Sequence, residues 1–183
     1  APFDDLGESI LAQIQAVIAA QKEQPTVRHT LHAAVFNMSD PEIVQALIEA
    51  HQCGVEVRLV TEATKLRPWY HWMHGDDALL TAGVPLLGVR RQGRGAMHMK
   101  LALFDGRVAS TGSANWQPGA RHANHENYIE TTETSLVDCY AQRFTALAGG
   151  VLARSECENA RFGPDQPLHT WVGHIIDEAT TSL

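Results

Sequence analysis

The sequence predicts an α/β sandwich in which helices flank a central mixed β-sheet. Segments with apolar residues at helical spacing alternate with short apolar runs that are typical of buried strands. Early in the chain a strand, a helix and a second strand follow one another, which predicts a parallel crossover. A later segment has the pattern of a hairpin and adds antiparallel pairing, so we expect the sheet to be mixed.

The first four elements alternate between helix and strand. Residues 4–22 carry leucine, isoleucine and valine at helical spacing and predict an amphipathic helix. Residues 27–36 are typical of a buried strand. A second helix is expected after Asp40, because a capping side chain there precedes Pro41 in the first turn. Residues 55–61 alternate valine and leucine with polar residues and predict the second strand.

The later elements continue this alternation and then reverse direction. A helix at residues 76–82 and a strand at residues 84–89 repeat the crossover pattern. Residues 98–115 form the predicted hairpin. A strand at residues 126–131 and a helix at residues 135–147 complete the expected sheet and its cover.

One main domain is expected over residues 1–150, followed by an extension over residues 151–183. The extension contains prolines and one short helix at residues 172–180, and we expect it to pack on the domain or on a second subunit. Three cysteines are too few for a disulfide scaffold. Cys139 and Cys157 could nevertheless form one bridge.

Composition narrows the classes of function. The 183 residues are 44% hydrophobic, enough for a sizeable core, and no apolar run approaches the ~20 residues of a membrane span. A net charge of −7 argues against broad adhesion to nucleic acid or anionic membrane. Arg90, Arg91 and Arg94 predict a local basic lip, with a solvated strand end as the alternative. The start at Ala1 favours an exported protein, periplasmic or secreted, although removal of a tag would leave the same start.

The segment HMKLALFDGRVASTGSAN, residues 98–115, carries the chemistry of the chain. His98 and Lys100 are two residues apart, so their side chains leave a strand on the same face, opposite Met97, Met99 and Leu101. An imidazole can attack phosphorus or protonate a leaving oxygen without a metal. Lysine and asparagine side chains can hold the non-bridging oxygens of a phosphate. Candidate phosphate-binding residues are therefore Lys100, Ser113 and Asn115.

This spacing resembles the signature of the phospholipase D superfamily, which is His-x-Lys, four residues, Asp, six residues and Gly-Ser-x-Asn. Asn124 and Glu126, in HANHENYIE, resemble the downstream Asn-x-Glu of this family, in which the glutamate accepts the second N–H of the imidazole. The resemblance covers about residues 4–148. It implies a phospholipase D-like fold, a covalent phosphohistidine and no metal or cofactor. The catalytic residues that it implies are His98, Lys100, Asp105 and Glu126.

The chain contains only one copy of this motif. In-line exchange at phosphorus needs a nucleophile on one side and an acid on the leaving group. The resemblance implies a homodimer in which His98 of each subunit meets at one shared active site. The alternative is that the chain is one half of a protein with two motifs.

The resemblance implies phosphodiester transfer and leaves the substrate open. A small chain with one motif most resembles the bacterial endonucleases that cut DNA or RNA without strong sequence preference. A phospholipase D or cardiolipin-type hydrolase is the alternative, and a non-enzymatic scaffold is a third hypothesis. Aromatic and basic residues near the motif could contact substrate, but covering the sheet or the dimer contact is an equal alternative for the aromatics. The candidate substrate contacts are Arg90, Arg91, Arg94, Trp69, Trp72, Trp116 and His122.

Three His-x-x-His pairs suggest zinc as a further alternative. His29 and His32 lie on a predicted strand, where this spacing directs the rings to opposite faces. No cysteine accompanies any of the pairs. We therefore assign no metal site, and His122 and His125 could instead line the mouth of the active site.

Overall fold

A computed structural model describes residues 6–66, 76–90, 95–149, 157, 160–163 and 168–181. The strands in these residues are β1 (Thr30–Val35), β2 (Glu56–Glu62), β3 (Leu86–Val89), β4 (Lys100–Phe104), β5 (Val108–Gly112) and β6 (Tyr128–Thr131). The helices are α1 (Leu6–Glu23), α2 (Pro41–Gln52), α3 (Asp76–Thr81), α4 (Pro118–His122), α5 (Thr134–Ala148) and α6 (Leu168–Thr181). One turn of 3-10 helix, Ala63–Leu66, follows β2.

The six strands form one mixed sheet in the order β3-β2-β1-β4-β5-β6. β1 pairs with β2 in parallel, and β2 pairs with β3 in parallel, which confirms the predicted crossovers. β4 pairs with β1, β5 with β4 and β6 with β5, all antiparallel. Two of the five strand pairings are therefore parallel and three are antiparallel, and the strands that carry the motif lie beside the centre of the sheet.

Helices pack on both faces of this sheet, as the sequence predicts. α1 and α2 pack through Ile10, Ile14 and Leu47 on the face that carries Phe104 of β4. α5 packs through Phe144 and neighbouring apolar residues on the opposite face. Alternate side chains of each central strand enter the two cores, as the two-residue period of a strand requires.

The start of α2 fixes the loop that follows β1. Asp40 accepts hydrogen bonds from the backbone N–H groups of Glu42 and Ile43, both at 3.1 Å, and Pro41 occupies the first turn. This confirms the helix start that was predicted from the capping residue and the proline. The guanidinium of Arg121, on α4, lies 3.3 Å from both carboxylate oxygens of Asp40 and 2.9 Å from Glu42. α4 was not predicted, and this contact ties it to α2.

Replacing Arg121 with methionine should lower the free energy of unfolding by about 2–3 kcal/mol, because it leaves the carboxylate of Asp40 buried beside an apolar chain. The side chain of Arg121 is only 7% exposed, and Gly7 leaves the space through which it passes. Urea denaturation followed by circular dichroism measures the change.

The matched control is Arg28→Met. Arg28 also pairs with a carboxylate, Glu56, but its side chain is 74% exposed, so its loss should cost less than about 1 kcal/mol. Equal losses for the two variants would show that Arg121 does not tie α4 to α2.

The extension is joined to α5 by a disulfide between Cys139 and Cys157, the bridge that the sequence left open. Phe162 packs edge-on against Tyr140 of α5, with ring centroids 5.5 Å apart. α6 is longer than the short helix that we predicted and leaves several apolar side chains exposed to solvent. These are Leu168, Trp171, Val172, Ile175 and Ile176. Among the helices of the described residues, none has the length and apolar character to cross a membrane.

Candidate active site

One edge of the sheet gathers the ends of the strands that carry the motif. β1 and β2 are parallel and end at this edge, and β4 begins there because it runs antiparallel to β1. Lys100 pairs with Val35 at the end of β1, and Thr111 at the end of β5 pairs with Leu101. In sheets that contain parallel strands, the carboxyl ends are where ligands bind.

His98 and Lys100 lie together at this edge, as their two-residue spacing predicts. The ammonium nitrogen of Lys100 lies 3.1 Å from Nδ1 and 3.2 Å from Nε2 of His98, and it donates a hydrogen bond of 2.9 Å to the carbonyl oxygen of His98. His98 is exposed, whereas Lys100 is largely buried. The site therefore presents an accessible imidazole beside a fixed positive charge.

The surroundings set the protonation of both groups. Burial, and secondarily the charge of Lys100, lowers the pKa of His98, which favours the neutral imidazole that a nucleophile requires. Burial also lowers the pKa of Lys100 to about 8, with Glu126 acting in the opposite direction. Lys100 is thus mostly a cation at neutral pH but loses its proton in mildly alkaline solution.

We expect kcat/KM for a soluble phosphodiester to fall as pH rises through about 8, approaching tenfold per pH unit, because the cation of Lys100 is present below this pKa and lost above it. A pH profile measured between pH 6 and 10 tests this. In Lys100→Arg the guanidinium stays charged, so the component of the decline near pH 8 should disappear, whereas a decline at lower pH that belongs to the histidines should remain. A component near pH 8 that persists in Lys100→Arg would assign it to another group.

Glu126 is not placed as the resemblance implies. Its carboxylate accepts hydrogen bonds from the hydroxyl of Ser113 and, at 3.0 Å, from the side-chain amide of Asn124, rather than from the ring of His98. These bonds, that of Ser113 first, lower the pKa of Glu126. The correction has a physical reason: Lys100 occupies the space at the nitrogens of His98, and Glu126 remains close enough to act on Lys100 by charge.

Ser113 is also placed differently from the expectation. Its backbone N–H donates to the side-chain oxygen of Asn127 at 2.7 Å, and its hydroxyl accepts from the backbone N–H of Asn127 at 3.0 Å. Only glycine fits at position 112, because a Cβ there would lie 2.1 Å from the carbonyl oxygen of Asn127. The Gly-Ser pair therefore joins the end of β5 to the segment before β6, and binding phosphate would require Ser113 to exchange its partners.

Asn115 remains a candidate for phosphate binding. It lies between Ala114 and Trp116, which are both buried, so its backbone is fixed. Its Oδ1 is buried and has no hydrogen-bond partner among the described residues. Rotation about the Cβ–Cγ bond exchanges the oxygen and the NH₂ group of the Asn115 side chain. The NH₂ group can then occupy this position and donate to a phosphate oxygen.

Asp105 lies at the far end of the hairpin, away from His98, which corrects its assignment as a catalytic residue. It occupies the tight turn between β4 and β5 with a φ of 54°. Its Oδ2 lies 2.9 Å from Nδ1 of His29, and its Oδ1 accepts a hydrogen bond of 3.3 Å from the backbone N–H of Thr30. These contacts fasten the turn to the start of β1. The whole length of β4 separates Asp105 from the site.

Trp116 is another correction. The sequence suggested that it contacts substrate, but its side chain is only 3% exposed and packs in the core with α1 and α2. Its carbonyl oxygen accepts hydrogen bonds from the backbone N–H groups of Ser39, at 2.7 Å, and Asp40, at 2.9 Å. Trp116 thus anchors the loop that carries Asn115 to the loop after β1.

The other candidate substrate contacts lie at the same edge or outside the described residues. Arg90 is exposed and directly follows β3, two strands away from β1. His122, at the end of α4, and His125 are exposed beside Asn124. The predictions that concern Trp69, Trp72, Arg91 and Arg94 fall on residues outside the described ranges.

Two residues at the site were missed by the sequence analysis. The ring of Phe36, directly after β1, lies 4.8 Å from the ring of His98, centroid to centroid. The carboxylate of Glu62, 2% exposed at the end of β2, accepts a hydrogen bond of 2.6 Å from the backbone N–H of Met97. The signal available in the sequence was an acidic residue at the end of an apolar strand, where a buried carboxylate needs a specific donor.

The His-x-x-His pairs do not form a metal centre in the part of the chain that the structure describes. No three histidine, cysteine, aspartate or glutamate side chains in it are arranged to hold a metal ion. His29 pairs with Asp105, and His32 stacks on Phe144 with centroids 4.9 Å apart.

Known sequences resemble this chain over about two thirds of its length. The family model described as cardiolipin synthase, PLD-like domain, matches residues 23–148. The mitochondrial cardiolipin hydrolase of Xenopus tropicalis is 36% identical over 123 residues, which are 66% of this chain and 55% of the relative. The human protein of the same name is 32% identical over 142 residues, covering 77% of this chain and 52% of the relative. The chain thus spans about half the length of these curated relatives.

Solved structures show the same fold. NucT from Helicobacter pylori superposes with a TM-score of 0.63 at 19% identity, covering 79% of this chain and 90% of NucT. Nuc from Salmonella typhimurium, described as a phospholipase D family member, superposes with a TM-score of 0.56 at 20% identity, covering 74% and 86% of the two chains. At this level of identity the likeness concerns the fold alone.

Proposed function

This chain belongs to the PLD-like domain family, and we propose that it is a phosphodiesterase that cleaves its substrate through a covalent phosphohistidine on His98. The observation that carries the proposal is the exposed imidazole of His98 with the ammonium of Lys100 about 3 Å from its ring nitrogens. A neutral imidazole beside a fixed cation suits attack on an anionic phosphodiester, because the cation offsets the charge that the nucleophile approaches.

The proposed reaction has two steps. A ring nitrogen of His98 attacks phosphorus, the bond to the leaving oxygen breaks, and an acid protonates that oxygen. Water then attacks phosphorus, the P–N bond breaks, and the group that acted as acid takes the proton of the water. Lys100 and Asn115 hold the non-bridging oxygens in both steps. Residues of the chain supply every charge and proton in this scheme, so we propose that the reaction needs no metal ion or cofactor.

The acid in this scheme is the His98 of a second subunit. Within the described residues, the ring nitrogens of His98 face Lys100, and no second histidine contacts them. A two-fold axis through the site would bring a second His98 opposite the first. Two identical groups can then divide the roles, because the protonation of one disfavours protonation of the other.

We propose a nucleic acid as the substrate, cut without strong sequence preference. Residues 95–99 and 113–126, which carry His98 and the other candidate site residues of the loops, expose no large apolar side chain. They expose polar groups instead, including Ser113, His122, Asn124 and His125. Such a rim suits a sugar–phosphate backbone, which is bound mainly through its charge and polar atoms.

A phospholipid is the second candidate. The curated relatives at 32–36% identity carry the name cardiolipin hydrolase. The apolar side chains that α6 exposes, among them Trp171 and Ile175, would also suit the boundary of a lipid layer. Both candidates offer the same scissile group, a phosphodiester.

A side-by-side assay tests the proposal. Single-stranded DNA, plasmid DNA, RNA and vesicles of cardiolipin or phosphatidylcholine are incubated with the protein in the presence of a chelator. We expect the nucleic acids to be cleaved, and cleavage to continue at an undiminished rate with the chelator. Cleavage of the lipids alone would replace the first candidate with the second. Loss of activity that a divalent ion restores would contradict the mechanism.

A further inference from the structure

A second lysine lies beside the site on the same aromatic ring. The ammonium nitrogen of Lys65 is 4.8 Å from the centroid of the Phe36 ring, and that of Lys100 is 5.5 Å from it. The ring of His98 is 4.8 Å from the same centroid. Phe36 therefore gathers both cations and the imidazole at the end of β1, since the face of an aromatic ring attracts ammonium groups.

The position of Lys65 is built into the fold. Lys65 lies in the 3-10 turn Ala63–Leu66, which packs against Gly88 of β3. A Cβ at Gly88 would lie 2.7 Å from the side chain of Leu66 and 3.1 Å from the backbone of Ala63, so the glycine makes room for the turn. This close packing holds the turn, and with it Lys65, at the edge of the sheet that carries the site.

Glu62 links this turn to the motif. Its buried carboxylate accepts from the backbone N–H of Met97, directly before His98, and the turn that carries Lys65 begins at the next residue of the chain, Ala63. The turn and the nucleophile are thus fixed to one another through a single side chain. Lys65 is partly exposed, so its ammonium can reach a ligand.

The separation between Lys65 and His98 suits neighbouring phosphates. Two steps of 4.8 Å place the ammonium of Lys65 within about 10 Å of the His98 ring, a span that covers successive phosphates spaced about 3.4 Å along the axis of each duplex strand. Lys100 already contacts His98, so it serves the phosphate under attack. An acidic chain of net charge −7 that places two lysines on one ring concentrates positive charge where a polyanion would bind.

We propose that Lys65 binds the phosphate next to the one that His98 attacks, so that the site prefers substrates with two or more phosphodiester groups. This inference rests on the proposed function and defines its substrate class more narrowly. A polynucleotide and a diphosphorylated lipid share this chemistry. Lys65 acts on binding of the second phosphate and takes no part in bond breaking.

The test compares substrates that differ by one phosphate. A dinucleoside monophosphate is paired with a trinucleoside diphosphate, and phosphatidylglycerol is paired with cardiolipin, both dilute in detergent micelles. Lys65→Met should raise KM about tenfold for the member with two phosphates, as expected for one lost charged contact, and leave kcat nearly unchanged. KM for the member with one phosphate should stay within about twofold. The pair that responds identifies the source of the second phosphate.

Two further variants complete the design. Lys65→Arg keeps the charge and should retain the preference for two phosphates. Lys22→Met removes an exposed lysine that pairs with Glu49 on α2 and should change neither KM. If Lys65→Met raised KM equally for both members of each pair, or for no member of either pair, the proposal would be overturned.

Failure of the proposed function would be recognised separately. If the wild-type protein cleaves neither pair, the function is wrong, and calorimetry with the same uncleaved substrates, trinucleoside diphosphate against dinucleoside monophosphate and cardiolipin against phosphatidylglycerol, then decides the role of Lys65. A loss of affinity of about tenfold in Lys65→Met, only for the member with two phosphates, supports the second phosphate site. Equal affinity in wild type and variant rejects it.

Discussion

Replacing His98 with alanine should lower phosphodiester cleavage by about 10⁴-fold or more and leave the thermal unfolding midpoint unchanged. The loss is large because the variant lacks the only imidazole that lies against Lys100 in the described residues. The fold is preserved because His98 is exposed and contributes little to either core. Turnover of a labelled oligonucleotide and a melting curve on the same sample provide the two measurements.

His51→Ala is the matched control for this variant. His51 lies in the last turn of α2, while the start of that helix faces the site, so its loss should leave turnover unchanged. Rapid quenching of the wild-type reaction should also trap label on His98. A His98→Ala protein that still turns over substrate would refute the assignment of the nucleophile.

The fold followed from the sequence wherever local signals were strong. The capping side chain of Asp40 and the proline after it determine where α2 begins, and both act within a few residues of the chain. Apolar runs of strand length identified β1 and β2, and the helix between them implied their parallel pairing. α4 escaped prediction because it has only five residues and is held by distant contacts of Arg121 with Asp40 and Glu42.

The two-residue period of a strand predicted which side chains of the motif share a face, but it did not predict the contacts between separate loops. That period placed His98 and Lys100 on one face, and the structure brings their side chains together. The contacts of Glu126 and the burial of Trp116 depend on how loops from different parts of the chain meet. Asp105 was grouped with the site from its place in the motif, yet the length of β4 carries it to the opposite edge of the sheet.

Phe36 and Lys65 could not be assigned to the site from the sequence either. Neither belongs to the motif, and 29 positions along the chain separate them. They meet because β1 and β2 are parallel neighbours whose carboxyl ends reach one edge. A sequence motif therefore identified the proposed reacting groups, whereas the topology of the sheet brings other groups beside them.

In a mixture of wild-type and His98→Ala chains, the fraction of activity that remains should be smaller than the fraction of chains that are wild type. If both copies of His98 build one shared site, only dimers with two wild-type chains are active. An equal mixture then contains about one quarter of active dimers, because pairing is random, whereas independent sites would leave about one half. Co-expression of the two chains with different tags, followed by turnover at constant total protein, measures this fraction.

The same mixture made with His51→Ala should keep full activity, which separates loss at the shared site from an effect of mixing. Sedimentation at the concentration of the assay must show a dimer. A monomer with undiminished turnover would contradict the shared site, because one chain supplies only one imidazole at Lys100 in the residues that the structure describes. A quarter of the activity in the mixed sample would instead show that the second histidine comes from the other subunit, so that dimer formation is itself a requirement of the reaction.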